Sequence, residues 1–479
     1  MSIDAATAMN RFGLGAGPTQ AAPGNPRNWL LDQLQGHDAN PKALSGQPST
    51  EELALVYRSF QKQAKAFRMA KKNGTAGDQM EQAVQQKKLA RKGLQHSYIS
   101  AANARLASAL VTPTPFAERL THFWSNHFAV SVDKPLIITF AGNYEFAAIR
   151  PRIMGKFSDL LISAVTHPAM LIYLDQAQSI GPDSVIGSRI NARRKRQFGL
   201  NENLAREIME LHTLGVRAGF DQSDVTELAR ALTGWTVAGL GRGAFSKKLA
   251  ERAGYGSTLF VDGLHQPGAR TIMGKRYVAD GQAQARAILQ DIAVHPATAK
   301  HIATKLARHF VADNPPPSLV AKLEKNFLRT SGDLPSLYRT LVEAPEAWPD
   351  KWDAATAKFK SPWDWLVSSL RALNVTEIPG KGNVVGSLRQ LGQPMWRPES
   401  PAGFADTSQN WAGGAALLRR YEIGSRIARL TAGRIDARKL APAILPGVVG
   451  PNTIESIARA ANPVQGLSLL LLSPEFLRR

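Results

Sequence analysis

The sequence predicts a mostly α protein: a multi-helix orthogonal globular core with a protruding long helical hairpin and one small β-hairpin. Three observations carry this. Apolar residues recur at helical spacing over most of the 479 residues. Helix-start and helix-stop residues punctuate those runs. Strand-like segments are confined to one stretch, within 239–281. The chain is read as a single helical domain, 1–479, containing a basic hairpin arm at 51–111 and a loop and β-hairpin insertion at 239–281.

The first fifty residues read as a short helix, a glycine turn and a connector rich in Pro, Gly and Asn. Gly13-Leu14-Gly15-Ala16-Gly17 has no strand before it and Pro18 after it, so it predicts a turn rather than a nucleotide loop. Two long helices follow, broken at Asn73-Gly74-Thr75-Ala76-Gly77. Lys62, Lys65, Arg68, Lys71, Lys72, Lys87, Lys88, Arg91 and Lys92 make this arm strongly basic.

Pro113 and Pro115 open a helix near Phe116. At about 100° per residue, Phe116, Leu120, Phe123 and Trp124 share one face, with His127 in the middle of it. Arg119, His122 and Asn126 form a separate polar stripe. Residues 135–175 read as further helix. A loop then leads through Arg193-Arg194-Lys195-Arg196 into the segment richest in chemistry, Asn201 to Gly215. There Leu204, Ile208 and Leu211 predict a buried face. Asn203, Glu207 and Glu210 lie beside it with Arg206, and His212 lies on the opposite edge. The next helix is expected to start near Ser223 or Asp224 and to bury Val225, Leu228, Leu232 and Trp235. The bland reading of its charges is two interhelical ion pairs, Glu207 with Arg230 and Glu227 with Arg206.

In the insertion, Thr258–Val261 and Arg270–Met273 read as strands with His265 exposed at the tip between them. The rest is helical, apart from a Pro/Gly/aromatic loop from Gly392 to Phe404.

Composition narrows the function classes. There are 59 basic and 38 acidic residues, a formal charge of +21, which favours anionic partners. The absence of cysteine excludes thiol catalysis, disulfides and thiolate metal sites. The N-terminal residues show no signal-peptide pattern and no apolar run is long enough to span a bilayer. The expectation is a protein that is not transmembrane and is cytoplasmic.

Several separated segments carry a resemblance. They are Asn10-Arg11-Phe12-Gly13-Leu14-Gly15, Phe123-Trp124-Ser125-Asn126-His127-Phe128, Asn201-Glu202-Asn203, Ala205-Arg206-Glu207 and Glu210–Gly215. They continue with Asp224-Val225, Ala229–Trp235, Lys358-Phe359-Lys360-Ser361-Pro362, Gly392-Gln393-Pro394 and Ser400-Pro401-Ala402-Gly403. Their order makes the chain resemble, almost end to end, the bacterial family called domain of unknown function 1800. Members usually carry Asp after the histidine at 265 and Lys four residues later, where this chain has Gln266 and Arg270. The resemblance implies no settled activity. It does imply a partner, the sulfatase-like family called domain of unknown function 1501, whose members tend to carry export signals. Travel with such a partner would place the protein in the periplasm.

Two function classes are expected from these residues. The first is a metal-dependent, hydrolase-like enzyme acting on an anionic substrate, with its site on the helices around Asn201–Trp235. A divalent metal would be held by His122, His127, Glu207 and Glu227, with Glu207, Glu210 and His127 as catalytic groups. Asn126, Asn203, Arg206, Arg230 and Trp235 would contact substrate. The second is a non-catalytic binding or assembly protein whose basic arm holds a polyanion or the sulfatase-like partner. No sequence-reading nucleic-acid module is visible, so sequence-specific nucleic acid is not expected.

Overall fold

The computed structural model describes residues 2–479 except 194–198, 217, 242–243, 279, 377–383 and 432; of Arg193 and Ala244 it describes the backbone alone. The predicted run Arg194-Lys195-Arg196 therefore lies outside the described residues. The chain is mostly helical, with two small two-stranded antiparallel sheets among the described residues. One apolar cluster extends from Ala5 to Leu477. At its centre Phe12 stacks on Phe310 and Trp348 and meets Phe116 edge-on.

The arm forms as the sequence indicates. Ser49 and Glu52 make a capping box at the start of helix Thr50–Lys72. Asn73–Gly77 turns the chain, with Gly74 and Gly77 at φ 69° and 66°. The return helix, Asp78–Val111, buries Leu94 and then Ala101, Ala102, Ala104, Arg105, Leu106, Ser108 and Ala109 against the core. From 61 to 93 no residue is buried, so this part of the hairpin stands clear of the core.

Two expectations about the insertion are corrected. Strands Thr258–Phe260 and Arg270–Ile272 do not pair with each other. The order of strands is β1 Trp235–Val237, β2 Thr258–Phe260, β3 Arg270–Ile272 and β4 Lys275–Tyr277; β1 pairs with β2 and β3 with β4, both antiparallel. Met273 and Gly274, at φ 48° and 77°, supply the two-residue turn that closes β3 on β4. His265 is not exposed at a tip: it is 5% exposed, and its Nδ1 lies 2.9 Å from the Thr233 carbonyl.

The segment after Asn201 is helical from Asn203 to Glu207 and then widens to a π-helical turn, Ile208–His212. A π turn closes i→i+5 bonds and so rotates the side chains after it relative to a straight α-helix. Met209 and His212 are buried in consequence, while Leu211, expected in the core, is half-buried. The following helix, Gln222–Leu232, starts one or two residues earlier than expected, capped by Asp221 with Asp224 closing a capping box. It ends at Thr233, so Trp235 is buried in β1 and not on the helix face.

Candidate functional site

Helix Pro115–His127 is the key to the interior. Every residue from Pro115 to Ser125 is buried, and so is His127. A helix buried on all sides must satisfy its charges inside the protein. Glu118 does so with a paired contact to Arg150, Nη1–Oε2 2.8 Å and Nη2–Oε1 2.5 Å, and accepts from the Ser108 hydroxyl at 3.2 Å. Burial alone would raise its pKa, but Arg150 and His122 outweigh burial and hold it well below the usual carboxylate range.

A second buried acid, Glu145, sits on the π-helical turn Tyr144–Ile149. It accepts from Arg105 Nε at 2.7 Å, Ser125 Oγ at 2.6 Å and Trp396 Nε1 at 3.0 Å. The Arg105 guanidinium lies over the Trp363 ring, 4.2 Å from its centroid. Trp363 in turn donates its indole N–H to His122 Nδ1 at 3.2 Å. That fixes His122 with a lone pair on Nδ1 and its proton on Nε2, 3.4 Å from Glu118 Oε1. Burial and the nearby Arg105 lower the pKa of His122, so the ring is neutral at pH 7.

A third acid, Asp364, is held between Arg119 (3.0 Å) and the last residue, Arg479 (3.2 Å). It lies on helix Pro362–Ala372, whose N-cap is Ser361. The motif Lys358-Phe359-Lys360-Ser361-Pro362 thus delivers three polar groups at once. Lys358 Nζ reaches Asp313 at 2.7 Å and the Asp406 carbonyl at 2.6 Å. Lys360 is buried beside Ser368 Oγ (3.1 Å) and over the Phe476 ring, and burial pushes its pKa down to about 7. His309 faces Asp406 at 3.6 Å; burial lowers its pKa to about 4.

These groups surround one cavity. Arg105, Arg119, Lys358 and Arg479 line it with Asp364 and Asp406, and Trp363, Trp396, Trp411 and Phe404 give it aromatic walls. The loop after Gly392 closes one side. Gln393 Oε1 accepts from the Trp363 backbone N–H at 2.8 Å, which ties the loop to the helix start. Asn126 binds the Phe404 backbone in both senses, donating to its carbonyl at 2.9 Å and accepting from its N–H at 2.8 Å. Gly403 permits this approach: its φ is +83°, and a Cβ there would stand 2.3 Å from the Asn126 carbonyl oxygen. The early glycine turn belongs to the same frame. Arg119 Nε donates to the Gly13 carbonyl at 2.7 Å and Arg371 Nε to the Gly15 carbonyl at 2.9 Å.

The polar stripe drawn from sequence, Arg119, His122 and Asn126, lines this cavity. His127 lies on the same helix but is packed against Trp124 and Phe128, with Nε2 3.0 Å from the His212 carbonyl. Burial, then Lys305, His212 and His301, drives its pKa well down. His212 is also buried, and burial lowers its pKa to about 3. The remaining candidates lie elsewhere. Asn203 is exposed, its N–H bonded to Asn201 Oδ1 at 2.9 Å. Arg206 pairs with Glu202 and Glu210, both at 3.4 Å, and not with Glu227. Glu227 pairs with Arg230 and with Arg270. Glu207 does not make its expected pair with Arg230; it is half-buried, and burial together with Glu210 raises its pKa. Trp235 packs edge-on to Phe260. Among the described residues no group of three or more His, Asp or Glu is placed to hold a metal ion.

Gln266 and Arg270 have structural partners. Gln266 accepts from the Asp183 N–H at 3.0 Å and donates to Asp183 Oδ2 at 2.8 Å. Arg270 donates to the carbonyls of Gln266 and Pro267.

Glu118, Glu145, Arg150, Asp364, Asp406 and Arg479 were not among the candidates. None of these six lies in a segment that carries the family resemblance, although those segments supply Ser125, Asn126, Lys358, Lys360, Gln393 and Gly403 to the cavity frame. Acids and arginines such as Glu145 and Arg150, in an apolar helical run, look like surface residues until the packing is known.

The fold and site together define a helical protein in which separated polar motifs converge on one interior cavity. The chain belongs to the family described as Protein of unknown function (DUF1800), whose model matches residues 7–478. Comparison with curated proteins and with solved structures finds no match.

Proposed function

We propose that the cavity beside His122 binds an anionic organic ligand with a ring in it, and that this is where the protein acts. The observation that carries the reading is the imbalance of charge around it. On the cavity wall itself Arg105, Arg119, Lys358 and Arg479 stand against two carboxylates, Asp364 and Asp406, while His122 and His309 are neutral. An anion entering such a site gains charge-assisted contacts without bringing a buried charge of the wrong sign. The tryptophan walls suit a flat or sugar-like ring. Ser125, polarised by Glu145, and neutral His122 are the groups placed to take part in a reaction on it.

Thermal shift with benzoate, glucuronate and benzylamine tests the reading. Benzoate or glucuronate should raise Tm, and benzylamine should not. Lys358→Met should abolish the shift, and Trp411→Ala, at the half-exposed rim, should weaken it with the fold kept. Equal shifts from the anions and the amine, or none from either anion, would defeat the proposal.

A metal-dependent, hydrolase-like site on the helices around Asn201–Trp235 is the second reading. One observation favours it: the raised pKa of Glu207, which suits a general base. Metal analysis decides it: stoichiometric metal lost in Glu207→Gln supports it, and a metal content unchanged by that substitution sinks it.

A further inference from the structure

Residues 61–93, the outer part of the helical hairpin, carry nine basic residues and two acidic ones. Eight of the nine, Lys62, Lys65, Arg68, Lys71, Lys72, Lys88, Arg91 and Lys92, are exposed; Lys87 is half-buried over the Phe67 ring. Among the described residues none of the nine is within salt-bridge distance of a carboxylate. The same segment exposes large apolar side chains: Met69 at 48%, Val84 at 43% and Leu89 at 57%.

Three kinds of anionic partner could meet such a surface, and the apolar residues discriminate among them. Duplex nucleic acid is gripped through its phosphates and gives Met69, Val84 and Leu89 nothing to bury in. Single strands stack on exposed aromatics, and the one aromatic of the segment, Phe67, is covered by Lys87. An anionic bilayer offers both components: headgroup charge for the lysines and an acyl boundary for the apolar side chains. No helix among the described residues is long and apolar enough to cross a membrane, so contact of this kind would be peripheral. We infer that the hairpin arm docks the protein on anionic phospholipid surfaces through its lysines and arginines, with Met69, Val84 and Leu89 entering the headgroup region. The inference does not rest on the cavity reading, since no residue of 61–93 lines that cavity.

Co-sedimentation of the full chain with vesicles tests it. The protein should pellet with equimolar phosphatidylglycerol/phosphatidylcholine vesicles at 0.1 M NaCl, stay in solution with pure phosphatidylcholine, and be released by 0.5 M NaCl. Replacing Lys65, Lys72, Lys88 and Lys92 by Gln should weaken partition by roughly a hundredfold or more. Met69→Ser, Val84→Ser and Leu89→Ser together should weaken it at unchanged charge. Circular dichroism would check that both variants keep the wild-type helix content. Failure to pellet with the anionic vesicles would overturn the inference. So would an undiminished partition in the triple serine variant, or full displacement from vesicles by duplex DNA at equal charge concentration, since either would leave a general polyanion grip.

Discussion

Glu118 and Glu202 each gather an arginine and hydroxyl or amide partners, yet the Glu118 side chain is 2% exposed and that of Glu202 31%. Glu118 meets Arg150 and Ser108 inside a helix that is buried all round. Glu202 accepts from Arg206, Gln222 and Thr226 at the surface between two helices. The sequence drew attention to the second region, because its acids, arginines and histidine are crowded together. The structure places the more demanding electrostatics in the first. Crowding along the chain is satisfied close by, by neighbours one helical turn away and by the adjoining helix. Charges that stand far apart in sequence and meet in the interior require the whole fold to neutralise them.

The sharpest way to break this contrast is to remove one partner from each region. Arg150→Met leaves Glu118 buried without its arginine and should cost about 3–5 kcal/mol, read as a fall in the urea midpoint or loss of the folded protein. A cost near that of a surface substitution would mean that the interior charges are not held as described.

Acid should act through the interior too. His212 and His309 have pKa values lowered by burial to about 3 and about 4. The unfolded chain takes up those protons near pH 6.5 and the folded chain only far below, so acid favours unfolding. Each such histidine should remove roughly 1.4 kcal/mol per pH unit between pH 6.5 and its folded pKa. Glu118 and Asp364, held low by their arginines, add a further loss only below the ordinary carboxylate range. Urea midpoints at pH 7, 6 and 5 would check this; a flat profile would show that these histidines take up protons in the folded protein as readily as in the unfolded chain.

Gly403→Ala sharpens the comparison from the loop side. It forces a Cβ against the Asn126 carbonyl at a left-handed φ and should cost about 1–3 kcal/mol, with the loop over Trp363 detached and its tryptophan fluorescence changed. The smallest effect is expected from Arg206→Ala. Its two pairs are half-exposed and at 3.4 Å, so the change in stability should stay within about 1 kcal/mol. A larger loss would move the Asn201–Trp235 segment back to the centre of the molecule's energetics.

Much of the architecture was legible from the chain. Asn73–Gly77 marked the arm's turn, the proline before Phe116 marked a helix start, and His127 sat on an apolar face and is buried there. The errors have a common cause. The π turn Ile208–His212 broke the constant angle on which the side-chain faces were drawn. Strand partners were assigned by proximity, whereas Thr258–Phe260 pairs with the distant Trp235–Val237. His265 was placed in solvent because its loop is polar, and the Thr233 carbonyl holds it inside.

The sequence by itself determined the helical class, the long basic arm and the family, because periodicity, turn residues and ordered motifs are local properties of a chain. It also determined that the arm would keep its charge, since its two acids, Asp78 and Glu81, stand more than one helical turn from its lysines. Tertiary structure alone decided where Glu118, Glu145 and Asp364 go, and which of Arg150, Arg105, Arg119 and Arg479 answers each. A buried carboxylate has to find its cation somewhere within about 4 Å, and the chain contains 59 candidates. Only packing brings a residue from position 479 to one from position 364, and with that pairing the cavity exists.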